Sequence, residues 1–143
     1  MLAQFMTDDH RDCDDHYAAA EAAANAGNAD AARTAFAAFD ASLRHHLAME
    51  EELLFPAFDN ATGMHGVGPT AVMRMEHEQM RALLAQMQGA LAAADLDTFL
   101  GCGETLNVLI QQHNMKEEHM LYPMAERVLA ADSAALLERM RAL

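Results

Sequence analysis

Four histidines and two glutamates recur in this chain at a spacing that suits metal coordination. These six residues are His10, His46, Glu50, His77, His113 and Glu117. The two histidines of each half lie 36 residues apart, and the second of them is followed four residues later by the glutamate. Imidazole nitrogens and carboxylate oxygens together suit borderline cations such as iron, manganese or zinc. Two equivalent half-sites of this kind predict a two-metal centre.

The residues that flank these six repeat as well. Asp9 precedes the first histidine of one half, and Glu76 precedes the first histidine of the other. Beyond the glutamates, Leu-Phe-Pro at residues 54–56 corresponds to Leu-Tyr-Pro at residues 121–123. The chain therefore reads as two similar halves.

The composition indicates an all-α fold in a single domain, residues 1–143. The chain has 143 residues, of which 52% are hydrophobic, so it is long enough to bury a substantial core. Alanine, leucine, methionine and glutamate are abundant, while there are only 3 prolines and 7 glycines. This balance favours helix almost throughout.

The charge and the termini limit the expected partners and compartment. A net charge of -13 repels nucleic-acid phosphates and anionic lipid, so we expect neither as a partner. The N-terminus does not resemble a secretory signal, and no stretch reaches the roughly 18 apolar residues that span a bilayer. Cys13 and Cys102 are too few for a disulfide framework. These features predict a soluble, cytoplasmic protein.

Helix-breaking and capping residues divide the chain into helices. The predicted bundle covers about residues 7–130, and a short C-terminal helix covers about 133–142. Within these limits we expect a helix capped by Thr7 and ending at Asn25, one from Asp30 to Asp59, one from Pro69 to Ala93, one from about 98 past Pro123 to Ala130, and a tail helix capped by Ser133. At Pro56, near the end of the second helix, we expect a bend or a tightened last turn.

Up-down-up-down topology provides a test of the metal hypothesis. In an antiparallel hairpin, residues at equal distance from the turn lie at the same height. The midpoint of His10 and His46 is residue 28, and the midpoint of His77 and His113 is residue 95; both fall on predicted turns. The four histidines should therefore form one layer. The glutamates lie one turn, roughly 6 Å, further along the axis, where they can reach both metals. His16 is the alternative first-helix ligand, although its midpoint misses the turn.

At this point the chain resembles the hemerythrin-like proteins with the His-His-Glu cation-binding pattern. The resemblance covers about residues 7–130, and it is strongest in the tracts 46–56 and 113–123. It implies that the four histidines are terminal ligands and that the two glutamates bridge a non-haem di-iron site. The oxygen-carrying members differ, since they have five histidines and a His-x-x-x-x-Asp motif on the last helix. Here Glu117 stands at a shorter spacing, and Met73 and Arg81 lie one turn either side of the third histidine.

The resemblance implies two irons, oxo- or hydroxo-bridged, with manganese or zinc as alternatives. Open positions on these ions would take dioxygen, nitric oxide or peroxide, in sensing or in a redox stress response, with a redox or signalling protein as a possible partner. One alternative is an enzyme that repairs iron-sulfur centres or reduces peroxide or nitric oxide. The repair proteins carry an N-terminal segment with paired cysteines, which this sequence lacks before residue 10. A further alternative is metal storage or a metal-free interaction bundle.

Several other residues have simpler interpretations. The acidic residues Glu51, Glu52 and Glu118 are typical of solvated helix faces. Cys13 is best explained as a small buried hydrophobe, although it lies one turn from His10. Tyr122 is expected in a wall of the pocket, where it could supply a phenol. Methionines are expected mainly as core fillers, namely Met49, Met73, Met80, Met87, Met115, Met120 and Met124.

Overall fold

The computed structural model describes all 143 residues, and it is helical from end to end. The α-helices are α1 (Leu2–Asn25), α2 (Ala29–Met49), α3 (Phe55–Thr62), α4 (Pro69–Ala92), α5 (Leu96–Lys116), α6 (Tyr122–Val128) and α7 (Ser133–Ala142). Five-residue π-helical segments, Glu50–Leu54 and Glu117–Leu121, join α2 to α3 and α5 to α6. The chain thus forms four long helical rods, which are α1, α2 with α3, α4, and α5 with α6, and the short tail helix α7. This confirms the predicted bundle. None of the helices has the length and apolar character needed to cross a membrane.

One predicted helix start and one predicted cap residue were wrong. Helix α1 begins at Leu2, five residues before Thr7, because Leu2 and Met6 are fully buried and extend the inward face by another turn. At the tail helix, Ser133 is the first helical residue and Asp132 occupies the cap position without a side-chain cap bond. The core contacts of the apolar residues decide these boundaries more strongly than capping preference does.

The two hairpin turns lie where the chain breakers predicted them. The side chain of Asn28 accepts a hydrogen bond from the amide of Ala31, and Asp95 accepts one from the amide of Thr98. Each turn also needs one left-handed residue, which is Gly27 in the first hairpin and Ala94, with φ of 53°, in the second. With both turns fixed, the two rods of each hairpin hold their histidines at the same height.

Prolines explain the π-helical segments. Pro56 has no N–H and cannot bond the carbonyl of Glu52 four residues back. The amide of Phe55 instead reaches the carbonyl of Glu50, five residues back, and the amide of Tyr122 makes the same bond to Glu117. The turn is therefore wider here, not tighter as predicted. In each half the wide turn begins at the glutamate of the metal pattern.

The ligand layer separates two apolar clusters of the core. The cluster towards the hairpin turns is rich in aromatic residues, including Phe36, Phe39 and Phe99. The cluster at the other end includes Phe55 and Phe58 and takes in the buried face of α7. The tail-helix residues on that face are those predicted, Leu136, Leu137 and Met140.

The methionine prediction holds only in part. Met49, Met73, Met80 and Met87 are buried and Met124 is partly buried, but Met115 and Met120 are exposed, with 62% and 56% of their surface accessible. Both exposed residues lie on the outward side of the last rod.

Candidate metal centre

The six residues of the repeated pattern meet in the middle of the bundle. Each of them exposes at most 3% of its surface. The ring centroids of His10 and His46 are 4.5 Å apart, and those of His77 and His113 are 5.0 Å apart. His16 points to solvent, so the alternative first-helix ligand was wrong. As the turn-centred register predicted, His10 and not His16 lies in the layer.

Each glutamate contacts histidines of both halves of the layer. Glu117 Oε1 lies 3.1 Å from His10 Nε2, while its Oε2 lies 3.2 Å from His113 Nε2. Glu50 Oε1 lies 3.1 Å from His77 Nε2 and 3.5 Å from His46 Nε2, and its Oε2 lies 2.8 Å from the hydroxyl of Tyr122. Both carboxylates thus stand where bridging ligands to two ions would stand.

An outer ring of four carboxylates holds the histidines. Each Nδ1 meets a carboxylate on a neighbouring rod, at 2.7 Å for His46 and Asp9, 2.6 Å for His77 and Glu51, 2.8 Å for His113 and Glu76, and 2.7 Å for His10 and Glu118. A carboxylate accepts the Nδ1 proton and so leaves the lone pair on Nε2, which faces the centre. This arrangement is the one that metal-binding histidines need.

The outer ring was only partly visible in the sequence. Glu51 and Glu118 were predicted to be solvated, and this was wrong, because each bonds an inward histidine. The available signal was position, since every member of the ring is adjacent in sequence to a member of the inner set. Adjacent residues on a helix are about 100° apart, so a residue beside an inward one can reach the next rod.

Three of the outer carboxylates have a lowered pKa, which favours their ionised form. Burial opposes ionisation of Asp9, but the hydrogen bond to His46 and the charges of the neighbouring histidines together outweigh it and lower the pKa of Asp9. At Glu51, hydrogen bonds from Arg81 and His77 likewise outweigh burial and lower the pKa. Glu76 also has a lowered pKa, because its contacts with Lys116 and His113 outweigh burial.

The inner groups compete for protons. Burial and the neighbouring Glu117 carboxylate raise the pKa of Glu50. At His46, burial favours the neutral ring, but the Glu50 charge and the bond to Asp9 outweigh it and raise the pKa to about 9. Without a metal, the inner groups thus bind protons, and these protons balance the carboxylate charge that a cation would otherwise balance.

Four buried atoms of the second half have no hydrogen-bond partner. They are Glu50 Oε1, His77 Nε2, His113 Nε2 and Glu117 Oε2. The four residues can bring one ligand atom each within 4.8 Å of one another, which is close enough to hold one ion. Unpaired buried polar atoms destabilise a fold by about 1–3 kcal/mol each, and a cation would pair all four. A second group, His10, His46 and Glu117, can hold an ion in the first half.

The first half contains a hydroxyl that the second half lacks. Tyr122 is fully buried, and its oxygen lies 3.1 Å from His10 Nε2 and 3.2 Å from His46 Nε2. The corresponding residue in the other half is Phe55, whose ring stacks on His77 with centroids 5.5 Å apart. Sequence analysis placed Tyr122 in the pocket wall; the structure places its phenol among the inner donors.

A small cavity of about 10 Å³ adjoins the centre. Three of the inner histidines and Cys13 contribute to its lining, and its apolar walls are Leu43, Leu47, Met80 and Ile110. The thiol of Cys13 contacts the hydroxyl of Ser42 at 3.1 Å, and burial raises the pKa of the thiol to about 12. Cys13 is therefore a neutral part of the wall, and both cysteines are free.

The fold and the site together define a four-helix bundle with buried His and Glu groups able to hold a metal. Comparison with known families agrees: the model of the Hemerythrin HHE cation binding domain matches residues 1–125. The chain belongs to this family. Searches of the curated proteins and of the solved structures gave no match.

Proposed function

We propose that this chain is a non-haem di-iron protein that binds or reacts with dioxygen, nitric oxide or peroxide in sensing or in a redox stress response. Two irons would supply adjacent redox-active cations that can share a small ligand and its electrons. The inner ligands in this proposal are His10, His46, His77 and His113, with Glu50 and Glu117 bridging.

The observation that carries the proposal is the convergence of unpaired donors. The unpaired atoms of His77 and Glu50 lie 3.1 Å apart, yet they form no hydrogen bond. Both atoms instead belong to a group of donors that all lie within 4.8 Å of one another, as ligands of one ion do. A donor set of imidazoles and carboxylates without thiolate favours iron or manganese over a structural zinc site.

The surrounding residues prepare the site for a small ligand. The outer carboxylates fix the tautomer of every inner histidine, so the imidazoles need little reorientation. Apolar clusters above and below the layer exclude bulk water. The adjoining cavity has room for about one water molecule, which suits diatomic molecules and peroxide better than an organic substrate.

Metal analysis of the purified full-length chain, together with its optical spectrum, tests the proposal. We expect two irons per chain and near-ultraviolet bands typical of oxo-bridged iron. The Glu50→Ala/Glu117→Ala double variant should lack both irons, while His16→Ala, altered only at the surface, should retain them. A colourless wild-type protein with stoichiometric zinc, or one without metal, would contradict the proposal.

Mixing the iron-loaded protein with peroxide separates binding from turnover. Rapid disproportionation that is lost in the double variant would identify an enzyme. A stable spectral change without oxygen release would identify a binding or sensing protein.

A further inference from the structure

The hydroxyl of Tyr122 has more acceptors around it than its single proton can satisfy. Its oxygen lies 2.8 Å from Glu50 Oε2 and 3.0 Å from Glu117 Oε1, in addition to the two Nε2 atoms of the first half. When both imidazoles are neutral with the proton on Nδ1, where a carboxylate accepts it, each Nε2 presents a lone pair to the phenol. The phenol can therefore donate to only one of four neighbours, and lone pairs face its oxygen from the others.

The four distances match the spacing between ligands of one ion. Ligands that surround a cation octahedrally at about 2.1 Å are about 3 Å from each of their four neighbours. The oxygen of Tyr122 has four donor neighbours, all between 2.8 and 3.2 Å. His10 Nε2 and Glu117 Oε1, two of these neighbours, are themselves 3.1 Å apart. The phenol oxygen thus holds the place of a further ligand above the other four.

We propose that Tyr122 is the seventh protein ligand of the centre and binds only the ion of the first half. The inference rests on the proposed di-iron function. When iron(III) binds, the oxygen–hydrogen bond of the phenol breaks, the oxygen keeps the electron pair and binds the ion, and the proton passes to solvent. No electron is transferred in this step.

The second half has no equivalent ligand, because Phe55 occupies the matching place. Its ion has His77 and His113 as terminal ligands and shares the two carboxylates. The first ion has His10, His46 and the phenolate in addition to the same carboxylates. Open positions therefore belong mainly to the second ion, whose ligand His113 lines the adjoining cavity together with His10 and His46.

The two tyrosines of the chain provide a matched test. Phenolate bound to iron(III) absorbs visible light, so the air-oxidised, iron-loaded wild type should show such a band. The band should vanish in Tyr122→Phe, with iron content measured in the same sample. It should persist in Tyr17→Phe, because the Tyr17 hydroxyl bonds Glu21 and lies outside the centre. A wild type that holds two irons without the band, or a band that survives Tyr122→Phe, overturns the inference but leaves the di-iron proposal intact.

The reciprocal variant keeps the test independent of how well Tyr122→Phe folds. Phe55→Tyr should place a second phenol against His77, raise the intensity of the visible band about twofold and weaken azide binding to the iron-loaded protein. An unchanged band together with unchanged azide affinity would contradict the assignment of the two halves. Absence of iron from the wild type would overturn both this inference and the proposed function.

Discussion

The two halves of the metal centre are built alike, and they differ mainly at one atom. In both halves, two histidines from adjacent rods face two shared glutamates, and carboxylates from neighbouring rods hold the outer nitrogens. In the first half the hydroxyl of Tyr122 contacts all four donors, whereas in the second half Phe55 leaves every donor unpaired. The duplication thus supplies a symmetric frame, and by our proposal a single Tyr-to-Phe difference makes the two candidate metal positions unequal.

This difference shows how two halves with the same fold can have different roles at one centre. The half with more protein ligands should hold its ion firmly, while the half with fewer ligands leaves space for exchange. The wide π-helical turns occur in both halves, since one begins at Glu50 and the other at Glu117. Variants that affect the shared glutamates should therefore act on both halves, and variants of one half should not.

Replacement of either shared glutamate should have the largest effect. Glu50→Ala and Glu117→Ala each remove a ligand from both positions, so we expect both metals to be lost. Metal content per chain, measured after exhaustive dialysis, checks this. A variant that keeps two metals per chain would refute the bridging role.

Removal of the metal should lower stability. Binding to the folded state alone stabilises it by about 2.7 kcal/mol at a free metal concentration of about 100 Kd. In the metal-free protein, His46 has its pKa raised from 6.5 to about 9, so its protonation stabilises the fold fully below pH 6.5 and less as pH rises towards 9. The metal-bound protein lacks this contribution, and the gap between the two forms should widen between pH 6.5 and 9. Thermal melts of loaded and stripped protein measure it, and coincident curves would exclude a metal site.

Histidine variants should distinguish the halves. His77→Ala leaves the second ion with three protein ligands, whereas His10→Ala leaves the first ion with four if Tyr122 binds it. We expect His77→Ala to lose the second ion at metal concentrations at which His10→Ala still holds both ions. Titration followed by metal analysis checks the order, with His16→Ala as the surface control. Equal losses would mean that the halves are equivalent.

The smallest effect concerns the hairpin turns. Ala94 has a φ of 53°, and a left-handed conformation costs a non-glycine residue about 1 kcal/mol. Ala94→Gly should therefore raise stability by about 0.5–1 kcal/mol, while Gly27→Ala should lower it by a similar amount. Urea unfolding of the metal-free protein measures both changes. A free energy of unfolding that is lower in Ala94→Gly than in the wild type would show that backbone strain differs between the two turns.

The sequence was sufficient to predict the bundle and the inner six residues because helical periodicity and the turn positions act together. His10 and His46 are placed by their equal distance from one turn, which is a local rule. The outer ring is harder to predict, because Glu118 contacts His10 across 108 residues of chain. The position of the Tyr122 hydroxyl depends on the wide turn created by Pro123, and helical periodicity alone does not predict such a turn.

The ⁵⁷Fe Mössbauer spectrum of the fully loaded, oxidised protein tests the central claim most directly, since it reports each iron separately. Two irons in unequal halves should give two quadrupole doublets of equal area. In Tyr122→Phe the quadrupole splittings of the two doublets should become more similar to each other. The spectrum of Tyr17→Phe should match that of the wild type. A single doublet from the wild-type protein would contradict the inequality of the halves, and an absence of bound iron would contradict the di-iron centre itself.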